Sequence, residues 1–318
     1  MIVKDIKLFP IAYYGFSFIV IDRVYFTKNI CASLRGIIFS NLKGLFCEKK
    51  GKDCGECDYS SKCPVSGFFE ITRDTKRYRD YPRPVVLRVD EPLNVYEASS
   101  DFEFSLGLLS KKSIDDFPYI FSAIKHIENT GIGSEEEKKR GKVKLISAYF
   151  LNPLNNEKKI LYFYKENIFN ERKLYIKKKE IIERAKEISK GKRIKIEFLT
   201  PLAITYEKKI MKDFSFPLFI ERLYERINKI SELSLKKPLD INVPPLDSIK
   251  ILYKNFTYYN SFRYSTRKGS YIPLNGIIGE AVISGRIDKI AVPLVIGELI
   301  HVGKHTTSGF GRYKLSVL

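Results

Sequence analysis

The 318-residue chain has no tryptophan, no glutamine, two methionines and three histidines. The shortage of histidine narrows acid–base chemistry near neutral pH to His126, His301 and His305. No window holds the roughly 18 uncharged apolar residues of a membrane span, so a membrane partner is not expected. Met1 to Asp5 lacks a signal-peptide pattern, and a cytoplasmic location is the expectation. Disorder is excluded by composition, with 44% hydrophobic and 29% charged residues. A length of 318 residues suits two domains better than one. Abundant Lys, Ile, Glu and Tyr fit a hot environment or an AT-rich genome.

Acid is also in short supply. There are 56 Lys+Arg against 37 Asp+Glu, a formal charge of +19. A Lys-rich thermophilic surface usually carries matching Glu. An unmatched excess this large points to a polyanion, with nucleic acid the first candidate.

The hydrophobic pattern predicts one plan twice. In the first half, Phe16 to Phe26 reads as a strand or strand pair. Asn29 to Phe46 has apolar residues three and four apart and reads as a helix. After a cysteine-rich loop, Phe68 to Thr72 and Val85 to Val89 are β-like. Asp101 to Leu109 is a strand, Asp115 to Asn129 a helix and Lys142 to Phe150 a strand. Strand, helix, two strands, helix, strand is the ferredoxin-like split unit. The second half repeats it with strands near 193–199, 249–262, 276–283 and 313–317 and helices over 214–233 and 290–300. The expected class is α+β, two tandem ferredoxin-like (RRM-like) domains with a cysteine-rich insertion in the first. The expected boundaries are 1–150, with the Cys-rich loop at 47–63; a connecting hairpin and helix over 151–190; and 191–318, with a glycine-rich loop at 303–312. The halves share a further signature. A helix runs into Gly131-Ile132-Gly133 in one and Gly309-Phe310-Gly311 in the other, each before a strand, which suggests duplication.

The stretch Gly303 to Tyr313 is the most informative. Glycines admit close backbone approach and dihedrals closed to other residues, and Lys304, His305 and Arg312 add cations or donors. The helix precedes the glycines instead of following them, so this is no Walker loop. Backbone-phosphate contact is the reading, against a plain glycine-rich turn. No helix-turn-helix pattern supports a DNA-binding regulator.

With Arg263 to Arg267, Gly276 to Glu280, Gly297 to Lys304, Phe198 to Leu202, Arg222, Arg226, Leu34 to Gly36, Cys54-x-x-Cys57, Cys63-Pro64 and Phe69-Glu70, that stretch resembles the CRISPR-associated repeat-processing endoribonucleases (the Cas-six family of the RAMP superfamily) over nearly the whole chain. The resemblance implies a part in antiviral defense. It implies binding of CRISPR repeat RNA (pre-crRNA) in a basic cleft between the halves, and metal-independent cleavage. The products would be a 2′,3′-cyclic phosphate and a 5′-hydroxyl. The alternative is a non-catalytic RNA-binding RAMP subunit of a CRISPR effector complex, with other effector subunits as partners.

A metal-free cut needs a base for the 2′-hydroxyl, an acid for the leaving oxygen and cations for the phosphorane. Many family members place a catalytic histidine near the first helix, but Asn29 to Lys52 contains none. The catalytic candidates are His305 and Lys304 in the loop, and Lys43, or else Lys49, Lys50 or Lys52, in place of the missing histidine. The expected RNA contacts are Gly303, Lys304, Gly309, Gly311, Arg312, Arg35, Arg263 and Arg267. Tyr258, Tyr259 and Phe262 are candidates for base stacking or for core packing. Tyr13 and Tyr14 are further aromatic candidates. His301 reads as packed or capping and His126 as surface. Cys47, Cys54, Cys57 and Cys63 have a spacing that suits a structural zinc, with disulfides or an iron–sulfur cluster as rivals.

Overall fold

A computed structural model describes residues 8–26, 29–49, 54–60, 62–69, 82–133, 140–170, 173–236, 238–265 and 269–318. The chain divides into two compact units, Pro10–Tyr175 and Met1–Phe9 with Ile176–Leu318.

The first unit is built on β1 (Ala12–Val20), α1 (Ile30–Phe46), β2 (Val85–Arg88), β3 (Asp101–Leu108), α2 (Phe117–Lys125) and β4 (Val143–Asn152). Its sheet runs β2-β3-β1-β4, and β5 (Glu157–Phe163) and β6 (Ile168–Phe169) extend it past β4. Every pairing is antiparallel. Alternation along β1 fixes which face meets the helices. Tyr14, Phe16 and Phe18 are buried on one face, where Tyr14 stacks on Phe117 of α2 at 3.7 Å. On the other face glycines make room for rings. A Cβ on Gly107 would strike the Tyr13 ring, and one on Gly15 would strike Tyr149. Tyr13 and Tyr14 thus lie inside the first strand, both buried, not ahead of it.

Helix α1 begins where expected. Asn29 is its N-cap, accepting a hydrogen bond from the Ala32 amide at 2.7 Å. Asn41 buries its amide against the neighbouring helix, donating to Ala123 O at 3.0 Å. Two expectations need correction. Phe68 and Phe69 close a helix, Pro64–Phe69, instead of opening a strand. Pro64 sits at its first position, where a missing N–H costs nothing, and both rings are buried. The residues beyond, 70–72, lie outside the described ones. The helix expected over Asp115–Asn129 is three pieces, Lys111–Asp115, Phe117–Lys125 and Ile127–Thr130. Pro118 has no amide to continue the preceding turn, so a new helix starts there.

The second unit has α3 (Lys178–Lys190), β7 (Arg193–Leu202), α4 (Phe216–Leu235), β8 (Ile249–Tyr259), β9 (Gly276–Gly285), α5 (Ala291–Ile300) and β10 (Tyr313–Val317). Its sheet order is β8-β9-β7-β10, again antiparallel throughout. Counted along each half, both sheets run second, third, first, fourth strand. That is the ferredoxin-like order, made twice along the chain. Ile194, Ile196 and Phe198 of β7 point to the helices and are buried. Helix α5 is buried on almost every side, as its unbroken apolar sequence requires. The stretch 151–190 is shared out. Its hairpin joins the first sheet, while α3 packs on α5 and β10, with Arg184 donating to Leu315 O at 2.6 Å.

Candidate nucleic-acid interface

The charge is uneven between the units. Residues 1–9 and 176–318 hold 29 of the 56 Lys+Arg and only 15 of the 37 Asp+Glu. About three quarters of the net charge therefore belongs to the second unit, which also carries the glycine-rich loop.

That loop starts where α5 stops. Arg226 of α4, buried, sends Nε and Nη2 to the Ile300 carbonyl at 3.0 and 2.8 Å and so caps α5. His301 follows at φ 58°, ψ 169°, a region that normally admits only glycine. It is fully buried, and its Nδ1 donates to Phe310 O at 3.2 Å. From here the chain folds back on the end of β7. Lys304 N–H donates to Ala203 O at 2.8 Å and Gly311 N–H to Pro201 O at 2.9 Å. Thr200 binds in both directions. Its hydroxyl donates to Gly309 O at 2.7 Å and accepts from Arg312 N–H at 2.9 Å. Phe310 is the plug, buried with Ala203 and Leu274 under Tyr259.

The glycines have a structural cause in this arrangement. Gly303, Gly309 and Gly311 all have positive φ, and a Cβ on Gly311 would overlap Val302 O. Gly309 and Gly311 are buried, and their amides bond within the protein, to Thr306 O and Pro201 O. The expected display of glycine amides to phosphate is thus replaced at these two positions by internal bonding. What the loop offers outward is side chains. Lys304 is exposed, and His305 and Arg312 are half-buried. His305 has a left-handed backbone, and its ring stands edge-on to Phe310 at 5.8 Å. Thr306, Thr307 and Ser308 are buried.

Other sequence candidates fall elsewhere. Arg35 and Lys43 lie on α1 in the first unit, half-buried, with Arg35 over the Phe69 ring at 5.8 Å and Lys43 over Phe39 at 5.7 Å. Arg263 sits in a hairpin, Phe262–Ser265 with Ser270–Pro273, opposite Ile272. The hairpin is rooted beside the loop, because Leu274, at its exit, packs on Phe310. Arg267 lies outside the described residues. Phe262 and Tyr271 are exposed and meet edge to face at 5.1 Å. Tyr259 packs on the Phe310 cluster, so for it the core reading holds. His126 is half-buried, with Nδ1 3.1 Å from the Asn129 amide.

The cysteines do not form the expected centre. None of the five is joined in a disulfide. Among the described residues no three His, Cys, Asp or Glu side chains gather as metal ligands, so Cys47, Cys54, Cys57 and Cys63 as placed do not fit a zinc ion. Cys54 opens a single 3₁₀ turn, Cys54–Glu56, and Cys63 precedes the Pro64 helix. Sequence reasoning missed Thr200 as a clamp. Its only signal was a hydroxyl at the end of a strand that runs on into proline.

Comparison with known proteins agrees with this architecture. Residues 9–180 match a family model described as an N-terminal domain, and residues 196–313 match that of the CRISPR-associated endoribonuclease Cas6. A partial Cas6-RT-Cas1–Cas2 complex superposes with a TM-score of 0.60 at 14% identity, covering 98% of this chain and 47% of that one. The chain thus spans about half the length of that relative. Thermus thermophilus Cas6 superposes with a TM-score of 0.51 at 11% identity, covering 98% and 100% of the two chains. A Cas6 product complex gives 0.53 at 11%, covering 96% and 99%. Among curated proteins no sequence matches. These superpositions share the fold described above, two ferredoxin-like units with a basic glycine-rich loop before the last strand of the second. Residues 196–313 thus resemble the Cas6 endoribonuclease family, and residues 9–180 the separate N-terminal-domain model.

Proposed function

We propose that this protein binds CRISPR repeat RNA and cuts it at one position without a metal ion. The observation that carries this reading is the loop of the second unit. Its backbone is bonded to the end of β7, and it holds Lys304, His305 and Arg312 toward solvent on the unit with the greater positive charge. A rigid cationic rim costs little reorganisation when a phosphate arrives, which is what stabilising a phosphorane demands.

In the proposed reaction the ribose 2′-hydroxyl attacks the adjacent phosphorus. The P–O5′ bond breaks, leaving a 2′,3′-cyclic phosphate on one product and a 5′-hydroxyl on the other. His305 is the proposed proton-transfer group, since it is half-buried in the loop while His301 is sealed in the core. Lys304 and Arg312 would offset the charge that builds on the phosphorane. Lys43, on α1, is a second candidate supplied by the first unit.

The rival reading is an RNA-binding subunit without activity, in a CRISPR effector complex. It is favoured by the absence of histidine from α1. Repeat RNA incubated with the protein in EDTA separates the two. One cut, abolished by a single 2′-deoxy substitution at its position, is expected. Tight binding with intact RNA would establish the subunit instead. His305→Ala should slow single-turnover cleavage by about 10²–10⁴ while affinity stays within a few-fold. Wild-type rates would remove His305 from the mechanism.

A further inference from the structure

We infer that the tight turn Tyr206–Lys209 is a second RNA-contacting element, which takes up the ribose-phosphate chain next to Lys304. The inference rests on the reading of the loop as an RNA contact and extends it to a part of the fold with no assigned role.

Three observations converge. The first is backbone geometry. Thr205–Tyr206 and Lys209–Ile210 pair as a minimal hairpin, with Glu207 and Lys208 between them at φ +47° and +63°. A two-residue turn with both central residues left-handed is the one for which Asn-Gly is strongly preferred, because a Cβ disfavours that conformation. Here both positions carry long charged side chains. The second is solvation. Tyr206, Glu207, Lys208 and Lys209 are all exposed, with Tyr206 at 58%, so no packing demand explains the choice. Among the described residues neither Lys208 nor Lys209 takes part in an ion pair, and Glu207 is the lone acid of the turn. Backbone strain kept at an exposed site without a packing return is a mark of function.

The third is position. The hairpin springs from Ala203-Ile204, and Met211 N–H closes its base on Ile204 O at 2.8 Å. The same Ala203 supplies the carbonyl that holds the Lys304 amide, and Gly303 lies against it. Lys304 and the turn are therefore fixed to one short piece of backbone. Lys208 and Lys209 supply point charges for phosphates, and the Tyr206 ring offers a face for an unpaired base.

The test compares three variants of the full chain with wild type, using repeat RNA across a salt series. Lys208→Ala/Lys209→Ala should flatten the plot of log affinity against log salt by about 1.4, for two single-strand phosphate contacts, and weaken binding roughly tenfold at 0.15 M salt. Glu207→Asn/Lys208→Gly should raise the melting temperature while still weakening binding. A merely structural turn would gain stability and lose no affinity. Lys304→Ala/Arg312→Ala tests the underlying reading. If that variant loses affinity while both turn variants bind like wild type, the turn makes no contact and only the inference falls. If all three bind like wild type, the loop reading falls too. A turn variant that unfolds would show that the turn supports the fold, and would overturn the inference.

Discussion

The two halves end their last helical segments with the same three-residue device and use it differently. In the first unit Gly131 and Gly133 have φ of +69° and +96° around a fully buried Ile132. In the second, Gly309 and Gly311 have φ of +83° and +71° around a buried Phe310. Each is a left-handed kink, an apolar plug and a second kink that aims the chain into the final strand. In the first unit the device follows its helix directly, with Gly131 N–H donating to Ile127 O at 2.8 Å. In the second, seven residues from Val302 to Ser308 stand between α5 with its His301 cap and Gly309. Those seven bring Lys304 and His305. The same scaffold thus occurs twice, while the candidate chemistry lies in one inserted segment. This is how function is commonly grafted onto a fold.

If that comparison is right, pulling the two plugs should have matching effects on folding and unlike effects on RNA. Phe310→Ala is expected to cost about 3–5 kcal/mol, and Ile132→Ala about 2–5 kcal/mol, from lost burial and the cavity left behind. Both losses are read by denaturant unfolding. At temperatures where each variant stays folded, Phe310→Ala should weaken repeat-RNA binding because Lys304 and Arg312 lose their anchor. Ile132→Ala should bind like wild type. Equal loss of RNA binding in both would mean the devices do the same job.

Much of this was legible in the sequence, for physical reasons. Period-two alternation in Arg193–Leu199 and the three-and-four spacing of Leu34, Ile37, Ile38 and Leu42 are imposed by burial, so strands, helices and fold class could be read directly. The Gly-x-Gly echo was also visible, because positive φ leaves glycine in the sequence. Tertiary choices were hidden. Phe68-Phe69 suits a strand or a buried helix equally, and only Pro64 and the packing decide. The glycines of the loop read as phosphate ligands because closeness to a ligand and closeness to one's own backbone demand the same residue; Pro201 O and Val302 O prove to be the neighbours. The role of Thr200, 109 residues from Gly309, has no local signature at all. Nor does the turn at Glu207-Lys208, whose residues are the wrong ones for its shape.

Thr200 sharpens the contrast at an intermediate scale. Thr200→Val keeps the shape and removes the hydroxyl, leaving Gly309 O and Arg312 N–H without that partner. The expected cost is about 1–3 kcal/mol, with a parallel loss of RNA affinity and a shallower salt dependence. Thr200→Ser should restore both. A Val variant that binds RNA normally would show that Arg312 is held by something other than this clamp.

The smallest effect separates how the two units tie down their added segments. Where the second unit uses a neutral hydroxyl and backbone amides, the first uses charge. Asp115 bonds Lys111 in its own helix and pairs with Lys173 at 2.9 Å, fastening the chain beyond β6. The hydrogen bond from Lys111, then that from Lys173, holds the Asp115 carboxyl below its ordinary range. A depressed folded-state pKa stabilises the protein above the unfolded value of about 3.9, and that gain disappears as pH falls through the folded value. The pair is solvent-screened, so Asp115→Asn should cost only about 0.5 kcal/mol at neutral pH. The difference from wild type should vanish in strong acid and shrink in high salt. RNA affinity should not change, since the residue serves the unit that lacks the insertion. A stability gap that survives both acid and salt would mean that Asp115 acts through packing, and the contrast between a charged tie and a neutral one would fail.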